Sequence, residues 1–390
     1  MKSSLAGLYY PFSRCIQPTS LKQMLLVFDE VTFVDPVDDA QWRAKLFEDL
    51  ESYDAEFARY QSVDAALPDL IQQGCIKRFD PGPHINDCRL ATVSAISDLD
   101  DPSWLREASA PQNHGMPSIK INGKCSWQVF RPKLPDDFVN ALQTRTELQR
   151  HLLQEGDDWS SWSLSYEAGS AIGIGVHLDI ADDLGVAPIT DSPMHHRLML
   201  MKMARGLNPN NSTATPIPDN VVRTLTVEMA STLLSQVLSE EQLHNATFEE
   251  IVSFREETKS LRKHFVSDIV TRMGQLRSVP TAQDWLVCAR QVLAGLETEF
   301  RKYEAEFAAG RMKVWPGILK STASAAAAGS FAAVGLSLIP GPHAVILGGI
   351  AGLAVGAAAA GLDWASERVK IQKSAAPPIA YLSRVSKRLG

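Results

Sequence analysis

Residues 5–36 read LAGLYYPFSRCIQPTSLKQMLLVFDEVTFVDP, and this stretch predicts the start of an α/β fold. Leu5–Phe12 is apolar and aromatic and ends beside a proline, which is typical of a short buried strand. The Pro18-Thr19-Ser20 segment offers an N-cap for a short helix over Leu21–Phe28, and the β-branched Val31–Val34 predicts a second strand. Together these elements predict a βαβ unit with parallel strands.

The elements that follow predict a chain that is mainly α. Ser118–Phe130 contains Asn122-Gly123, the preferred pair of a type I′ turn, and so predicts a β-hairpin over 118–130. Thr247-Phe248-Glu249-Glu250 fits a capping box that opens a helix over 247–277. A second helix over 281–310 follows a short link, so the two long helices are expected to be antiparallel neighbours.

With 390 residues the chain is too long for one hydrophobic core, because single cores stop growing at roughly 250–300 residues. The expected fold class is mainly α with a small α/β N-terminal portion, and with an apolar Ala/Gly-rich helical hairpin after the long helices. We expect four regions, which are the α/β portion at 1–135, a helical body at 136–315, the hairpin at 321–362 and a basic tail at 363–390.

The charge is divided unevenly along the chain. The net charge is -7 in total, but residues 311–390 carry nine Lys and Arg against two Asp and Glu, so that the first 310 residues have a net charge of -14. A basic end on an acidic body favours an anionic membrane surface as partner and argues against nucleic acid, which needs basic surface across the whole contact. Five scattered Cys and no signal peptide favour a cytosolic body with reduced thiols.

Ser321–Leu362 is the strongest feature of the sequence, because its 42 residues include no Asp, Glu, Lys or Arg. Pro340-Gly341-Pro342 divides it into arms of 18 and 20 residues, each about long enough to cross a bilayer core. The segment therefore predicts a helical hairpin whose ends emerge on the same side. Its flanks are basic, so the positive-inside rule places both ends in the cytoplasm, at the inner face of the cytoplasmic membrane.

Small residues recur every fourth position in both arms. The second arm has Gly348, Gly352 and Gly356, and the first has Gly329 and Ala333 in a looser row. This spacing puts each row on one helix face, where two backbones can approach closely, and it resembles the glycine-zipper pattern of membrane-inserting and pore-forming segments. The pattern predicts contact with membrane lipid and self-association through the hairpin.

A soluble hairpin is the alternative interpretation. The second arm has seven Leu, Ile and Val residues, which contribute only about -2 to -4 kcal/mol to insertion, and the first arm contributes less. Each arm is therefore marginal by itself. The same Ala/Gly-rich helices could instead be buried in a soluble bundle or in an oligomer interface, or sheltered until a trigger releases them.

The search for catalytic motifs is largely negative. The sequence has no GxxxxGK[ST] phosphate loop and no HExxH. Gly173-Ile174-Gly175 lacks the third glycine of a dinucleotide fingerprint, and Ala168–Leu184 instead predicts a helix with small residues, among them Gly169, on its packing side. No catalytic residue and no cofactor can be assigned.

The best polar constellation is His177, Asp191 and His195, whose side chains could ligate a metal if they met in space. A structural role is the simpler interpretation. The Thr190-Asp191-Ser192 segment offers a natural N-cap, and Pro193 is a preferred first helical residue.

Several segments resemble a group of uncharacterised bacterial proteins, a domain of unknown function. They are LYYPFSR, SLKQMLLVFDEVTFVDP, PITDSPMHHRL and IVSFREE. The resemblance covers most of residues 5–310 and implies a bacterial origin and a shared α/β-plus-helical body. It implies no activity.

Two classes of function follow. The first is a non-enzymatic membrane-associating protein with a sensing or docking body, one version of which is a toxin-like or antiviral-defence effector that permeabilises a membrane. The second is a soluble enzyme or a ligand- or metal-binding module whose pocket lies near Asp191.

Overall fold

The fold was analysed in a computed structural model of the chain. It describes residues 5–10, 15, 17–35, 54–108, 120–121, 124–156, 161–206, 219–235, 238–274, 381–382, 384–385 and 388–389. About 66% of this part is helical, and it includes a small parallel sheet. The chain is therefore mainly α with a small α/β portion. The predicted helix at 281–310 and the predicted hairpin at 321–362 lie outside the described residues.

The described residues form two compact units, and each is discontinuous in sequence. The sheet unit contains residues 7–17 and 30–202, and the helical unit contains residues 1–6, 18–29 and 203–390. Residue 135, where the sequence suggested a boundary, lies inside the sheet unit.

The parallel sheet has the strand order β3-β2-β1-β8. Its strands are β1 (Ala6–Tyr9), β2 (Glu30–Val34), β3 (Ile76–Phe79) and β8 (Ala187–Ile189). β1 pairs in parallel with β8, and β2 pairs in parallel with β3. The Asp29 amide donates to the Leu5 carbonyl before β1 and β2 begin, at 2.8 Å, and the Tyr9 ring contacts Phe33 near their ends. The predicted βαβ start is present, with α1 (Pro18–Val27) between its strands.

A second, antiparallel sheet has the order β4-β5-β7-β6. Its strands are β4 (Lys120–Ile121), β5 (Lys124–Phe130), β6 (Leu152–Gln154) and β7 (Ser161–Ser165). β4 and β5 are the hairpin expected at 118–130, and β7 extends it along the other edge of β5. The pairing with β7 explains the stability of a hairpin that would be marginal alone.

Helices complete the sheet unit, and α6 is its long central helix. Their bounds are α2 (Asp54–Gln72), α3 (Arg89–Asp100), α4 (Ser103–Ala108), α5 (Asp136–Thr144), α6 (Tyr166–Leu184) and α7 (Pro193–Gly206). The Ser165 side chain caps α6 by accepting from the Ala168 amide, and Gly185, at φ 66°, ends it.

Three glycines of α6 lie against neighbouring elements, and two of them, Gly169 and Gly173, are on the packing side that the sequence predicted. A Cβ on Gly169 would lie 2.6 Å from the Trp127 Cβ, and one on Gly175 would lie 3.1 Å from the Ala91 Cβ of α3. Tyr10 packs over Gly173. The Gly173–Gly175 segment is inside a helix, where its amides serve the helix, so the dinucleotide fingerprint is excluded.

The helical unit is built around α1. Its other helices are α8 (Asp219–Ser235), α9 (Glu240–Asn245), α10 (Phe248–Glu257) and α11 (Lys259–Gly274), and each of them contacts α1. The predicted capping box of Thr247 and Glu250 is present at the start of α10.

One continuous helix over 247–277 was a wrong expectation, because the structure has a break between α10 and α11 at Thr258. Thr258 has φ -107° and ψ 9°, and its hydroxyl donates to the Phe254 carbonyl at 2.7 Å. Arg255 before this break and Arg262 after it both donate to the Phe28 carbonyl at the carboxyl end of α1.

We call the carboxyl end of α1 and its side-chain donors the α1 hub. Arg255 donates to the carbonyls of Leu25 and Phe28, and Arg262 donates to Phe28 at 2.8 Å and pairs with the Asp29 carboxylate at 2.8 Å. The Tyr381 hydroxyl donates to the Leu26 carbonyl at 2.5 Å. Cationic donors at a helix carboxyl end satisfy its last carbonyls and complement its dipole.

Candidate site at the carboxyl edge of the parallel sheet

The strand order points to one edge of the parallel sheet. From β1 the chain builds outward through β2 to β3, and it then returns to the other side of β1 as β8. The order therefore reverses between β1 and β8, and in open α/β sheets ligands bind outside the carboxyl ends of the strands at such a point. Tyr9 and Tyr10 lie at the end of β1, and Asp191 follows β8.

Tyr9 and Tyr10 are neighbours in an extended segment, so their side chains point to opposite faces of the sheet. On one face, the Tyr9 hydroxyl donates to the Asp191 Oδ1 at 2.8 Å, and the Cys15 thiol contacts its Oδ2 at 3.7 Å. Burial raises the pKa of Tyr9, Cys15 and Asp191. The Cys15 thiol therefore keeps its proton and is not an activated nucleophile. On this face Tyr9, Cys15 and Asp191 form a buried hydrogen-bonded cluster.

On the other face, Tyr10 lies between two histidines. Its ring centroid is 4.9 Å from that of His177 and 5.6 Å from that of His195, both in edge-to-face geometry. Trp127 contacts His195 at 5.2 Å. Tyr10, His177 and His195 are all at most 4% exposed, so this aromatic cluster is buried.

His177 is held in one tautomer. Its Nδ1 lies 2.7 Å from the Gly173 carbonyl oxygen, which can only accept, so Nδ1 carries the proton and Nε2 has the free lone pair. Burial, together with the charge of Lys133, holds the pKa of His177 well below 6.5. His177 is therefore a neutral hydrogen-bond acceptor at Nε2.

Three buried polar atoms on this face have no hydrogen-bond partner among the residues that the structure describes, and we call them the open polar atoms. They are the Tyr10 hydroxyl, His177 Nε2 and Ser170 Oγ. Each such atom costs about 1–3 kcal/mol when it stays unsatisfied. Three such atoms are costly in a core, and two of them belong to Tyr10 and His177, whose rings are in contact, which makes this face the candidate binding site.

A buried cation lies near the same face. Lys133 ends the 3-10 turn Arg131–Lys133 after β5 and is 7% exposed. Burial lowers the pKa of Lys133 to about 8, and the charge of Asp35 partly opposes this. Asp35 follows β2 and pairs with Arg78 at 3.2 Å.

The three residues of the candidate metal site are brought to one sheet edge but not into one ligand set. Asp191 bonds on the Tyr9 face, and His177 and His195 contact Tyr10 on the opposite face. Within the described part of the chain, no group of three His, Cys, Asp or Glu residues could hold a metal ion. The geometry favours the structural alternative for Asp191, and Ser192 and Pro193 begin α7 as expected, with the Ser192 hydroxyl accepting from the His195 amide.

Tyr10, Ser170 and Lys133 were not among the candidate site residues that the sequence predicted. Tyr10 carried a usable signal, since it ends a predicted strand of a parallel sheet, where functional side chains gather. Ser170 and Lys133 had none, because their burial depends on elements distant in sequence. No family model, no curated protein and no solved structure matches the chain, so the resemblance of its N-terminal motifs to a bacterial family stays a prediction.

Proposed function

We propose that this protein is a non-enzymatic membrane-associating protein, whose body stays on the cytoplasmic side while the hairpin at 321–362 inserts from the inner face of the membrane. The observation that carries the proposal is the run of 42 residues without a formal charge, flanked by basic residues on both sides. In the described ranges, which exclude this segment, no helix has the length and hydropathy that a membrane crossing needs.

The ends of the intervening chain support a hairpin over a single crossing. α11 ends at Gly274 in the helical unit, and the chain is next described at Tyr381, in the same unit. A segment that leaves and rejoins one folded unit crosses a membrane an even number of times. The two arms divided at Pro340-Gly341-Pro342 meet this condition.

Where the chain is described again, at Tyr381, a buried side chain fixes it to the helical unit. Tyr381 is 0% exposed, and its ring packs on Phe254 and Phe265 at centroid distances of 6.1 Å and 5.2 Å. Leu382 and Val385 are buried as well. These residues belong to the helical unit, which supports a hairpin that leaves and rejoins the body over a free C-terminal tail.

The small-residue rows supply a mechanism. Neither arm gains much free energy from lipid alone, so insertion depends on close pairing of helices through Gly348, Gly352 and Gly356. Pairing between chains would permeabilise the bilayer, which is the action of a toxin-like or defence effector. Membrane lipid and further copies of the chain are the partners that this mechanism needs.

Dye release from vesicles tests the proposal. The full chain is added to vesicles of phosphatidylcholine and phosphatidylglycerol that enclose a quenched dye, and release with resistance to carbonate extraction is expected. Gly352→Leu should reduce release several-fold because it blocks the helix face. Ala354→Leu adds the same side chain about 200° around the helix and is the control, which should keep release.

Two outcomes contradict the proposal. A monodisperse protein that neither binds nor permeabilises these vesicles would favour the soluble alternative, with the hairpin buried in a bundle or an oligomer interface. Equal release by Gly352→Leu and Ala354→Leu would show that dye release does not depend on the glycine row. Topology is read separately by labelling Lys320→Cys and Lys370→Cys with an impermeant maleimide, and both should be labelled from the side of the body.

A further inference from the structure

We propose that the open polar atoms of Tyr10, Ser170 and His177 bind an uncharged planar amide, the chemical class to which the nucleobases belong. The site lies in the sheet unit. Its existence does not depend on membrane association, so the two proposals can fail separately.

The residues of the site are aligned along one face of α6. Ser170, Gly173 and His177 are three, four and seven residues apart, so they share one face of the helix. The Tyr10 ring packs over Gly173, where its Cε2 and hydroxyl would lie 3.5 Å and 3.8 Å from a Cβ, which is ordinary van der Waals contact. The Tyr10 hydroxyl thus sits above the middle of this face, between Ser170 and His177.

The three atoms differ in their hydrogen-bonding chemistry. The Tyr10 hydroxyl keeps its proton and donates, whereas His177 Nε2 accepts, because the Nδ1 proton is bound to the Gly173 carbonyl. The Ser170 hydroxyl can do either. A ligand that satisfies them offers an acceptor to Tyr10 and a donor to His177. An amide edge carries both groups side by side.

The charge of the ligand is restricted as well. A cationic ligand is disfavoured, since the site is buried and already lies in the field of Lys133, which helps to keep His177 neutral. An anion is disfavoured by the lone pair at His177 Nε2, with which it cannot form a hydrogen bond. An uncharged ligand meets neither penalty.

The rings around Tyr10 are aromatic, with His177 and His195 set edge-to-face against Tyr10, and Trp127 set edge-to-face against His195. Flat rings pack in offset or edge-to-face arrangements with such neighbours. A planar heterocyclic amide therefore suits the aromatic surroundings, the charge and the hydrogen bonds together. A trapped water would satisfy only the hydrogen bonds, and it is the rival explanation.

The test uses carbethoxylation of histidine by diethyl pyrocarbonate on the full chain. The Nε2 lone pair attacks a carbonyl of the reagent, the anhydride C–O bond breaks, and the departing ethyl carbonate anion takes up the proton that the ring releases from Nδ1. If the site admits small molecules, His177 should react despite being 3% exposed. His151 is the matched control, since it is 5% exposed but both ring nitrogens have partners, Ser165 and Arg150. Exposed His84 and His244 confirm that the reagent is active.

Protection by a probe then tests the ligand class. Uracil, offered free and as uridine, should protect His177 from the reagent, whereas 1,3-dimethyluracil, which lacks the N–H donors, should not. Protection by uracil alone assigns the free base, and protection by both assigns a nucleoside. Tyr10→Phe keeps the ring and removes one hydrogen bond, so it should raise the half-protecting concentration of uracil about tenfold.

Three results overturn the proposal. If His177 stays as unreactive as His151, the site is closed and its polar atoms are merely buried. If His177 reacts but neither uracil nor uridine protects it, the ligand class is wrong. If 1,3-dimethyluracil protects as well as uracil, the hydrogen bonds to the open polar atoms play no part.

Discussion

The carboxyl ends of β1 and α1 are two buried polar centres that differ in whether their hydrogen-bonding groups have partners. At the α1 hub, side chains from three distant segments donate to the last carbonyls of the helix, and Arg262 also pairs with Asp29. At the end of β1, the Tyr10 hydroxyl and His177 Nε2 are equally buried, but no described residue bonds to them. At the hub the terminal guanidinium nitrogens and the Tyr381 hydroxyl have their acceptors, and Arg262 Nε is the buried atom that no described residue bonds. At the sheet edge the groups at the tips of the Tyr10 and His177 side chains still offer hydrogen bonds.

This difference separates stability from binding. A buried polar group that has its partners adds about 1 kcal/mol to the free energy of unfolding, and the loss of one partner costs more than that. A buried group without partners lowers stability, so replacing it with an apolar group should cost little. Substitutions in the two centres should therefore have opposite effects, and the following predictions test the contrast.

The largest effect is expected at Arg262. Arg262→Met removes a buried cation, 2% exposed, and leaves Asp29 and the Phe28 carbonyl without this donor. The free energy of unfolding should fall by about 3 kcal/mol, as measured by urea denaturation. Lys259→Met is the control, because Lys259 pairs with Glu256 on the surface and should change stability by about 0.5 kcal/mol or less. A loss at Arg262 no larger than the control would contradict the importance of the hub.

The second effect is a pH dependence from His177. The unfolded chain binds a proton at His177 near pH 6.5, whereas burial and Lys133 hold the pKa of the folded state well below that value. Below pH 6.5 the unfolded state therefore binds more protons than the folded state. The free energy of unfolding should fall by up to about 1.4 kcal/mol for each unit by which the pH is lowered. His177→Leu should remove this slope.

The slope is obtained from urea denaturation at several pH values, as the difference between the wild type and His177→Leu. Contributions from other groups, such as Asp191, cancel in that difference. Near pH 7.5 the variant should be about as stable as the wild type. Parallel pH curves for the two proteins would show that His177 titrates normally in the folded state.

The third effect contrasts two glycines one helical turn apart. Gly169→Ala would place a Cβ 2.6 Å from the Trp127 Cβ, and the repacking should cost about 1–2 kcal/mol. Among the described residues, a Cβ on Gly173 meets only Tyr10, at 3.5 Å, so Gly173→Ala should stabilise the protein by about 0.5–1 kcal/mol, since alanine favours a helix. Melting temperatures should shift in opposite directions. Equal shifts would contradict the close packing of Trp127 on α6.

The smallest effect compares two buried tyrosines directly. Tyr381→Phe removes the hydrogen bond to the Leu26 carbonyl and should lower the free energy of unfolding by about 1 kcal/mol. Tyr10→Phe removes a hydroxyl that has no partner in the described part of the chain, so stability should stay the same or rise slightly. Denaturation of both variants under one set of conditions measures the difference. A loss in Tyr10→Phe equal to that in Tyr381→Phe would mean that its hydroxyl is bonded in the folded protein.

Local patterns predicted much of the fold. The βαβ start, the hairpin at 118–130, the α6 helix and the capping box at Thr247 depend on residues close together in sequence, and all are present. The strands β3, β6, β7 and β8 were missed. β7 (Ser161–Ser165) alternates polar and apolar residues over only five positions, and the three residues of β8 carry no pattern at all.

The candidate site was predicted in part, for a similar reason. His177, Asp191 and His195 attracted attention because metal-ligating residues stand out in a sequence. The structure does place them at one sheet edge, but it divides them between the two faces of β1. The side chain that organises the candidate site, Tyr10, is an ordinary aromatic residue until the return of β8 puts it at the reversal of strand order.

The sequence by itself determined the local elements, the uneven charge and the uncharged segment at 321–362, because each depends on neighbouring residues and on composition. Only the tertiary structure decided which buried groups have partners. Arg255 and Arg262 reach carbonyls more than 200 positions away, and Tyr381 reaches one still farther along the chain. The physical reason is that a polar group is stabilising or costly according to what surrounds it after folding, and those surroundings come from distant segments.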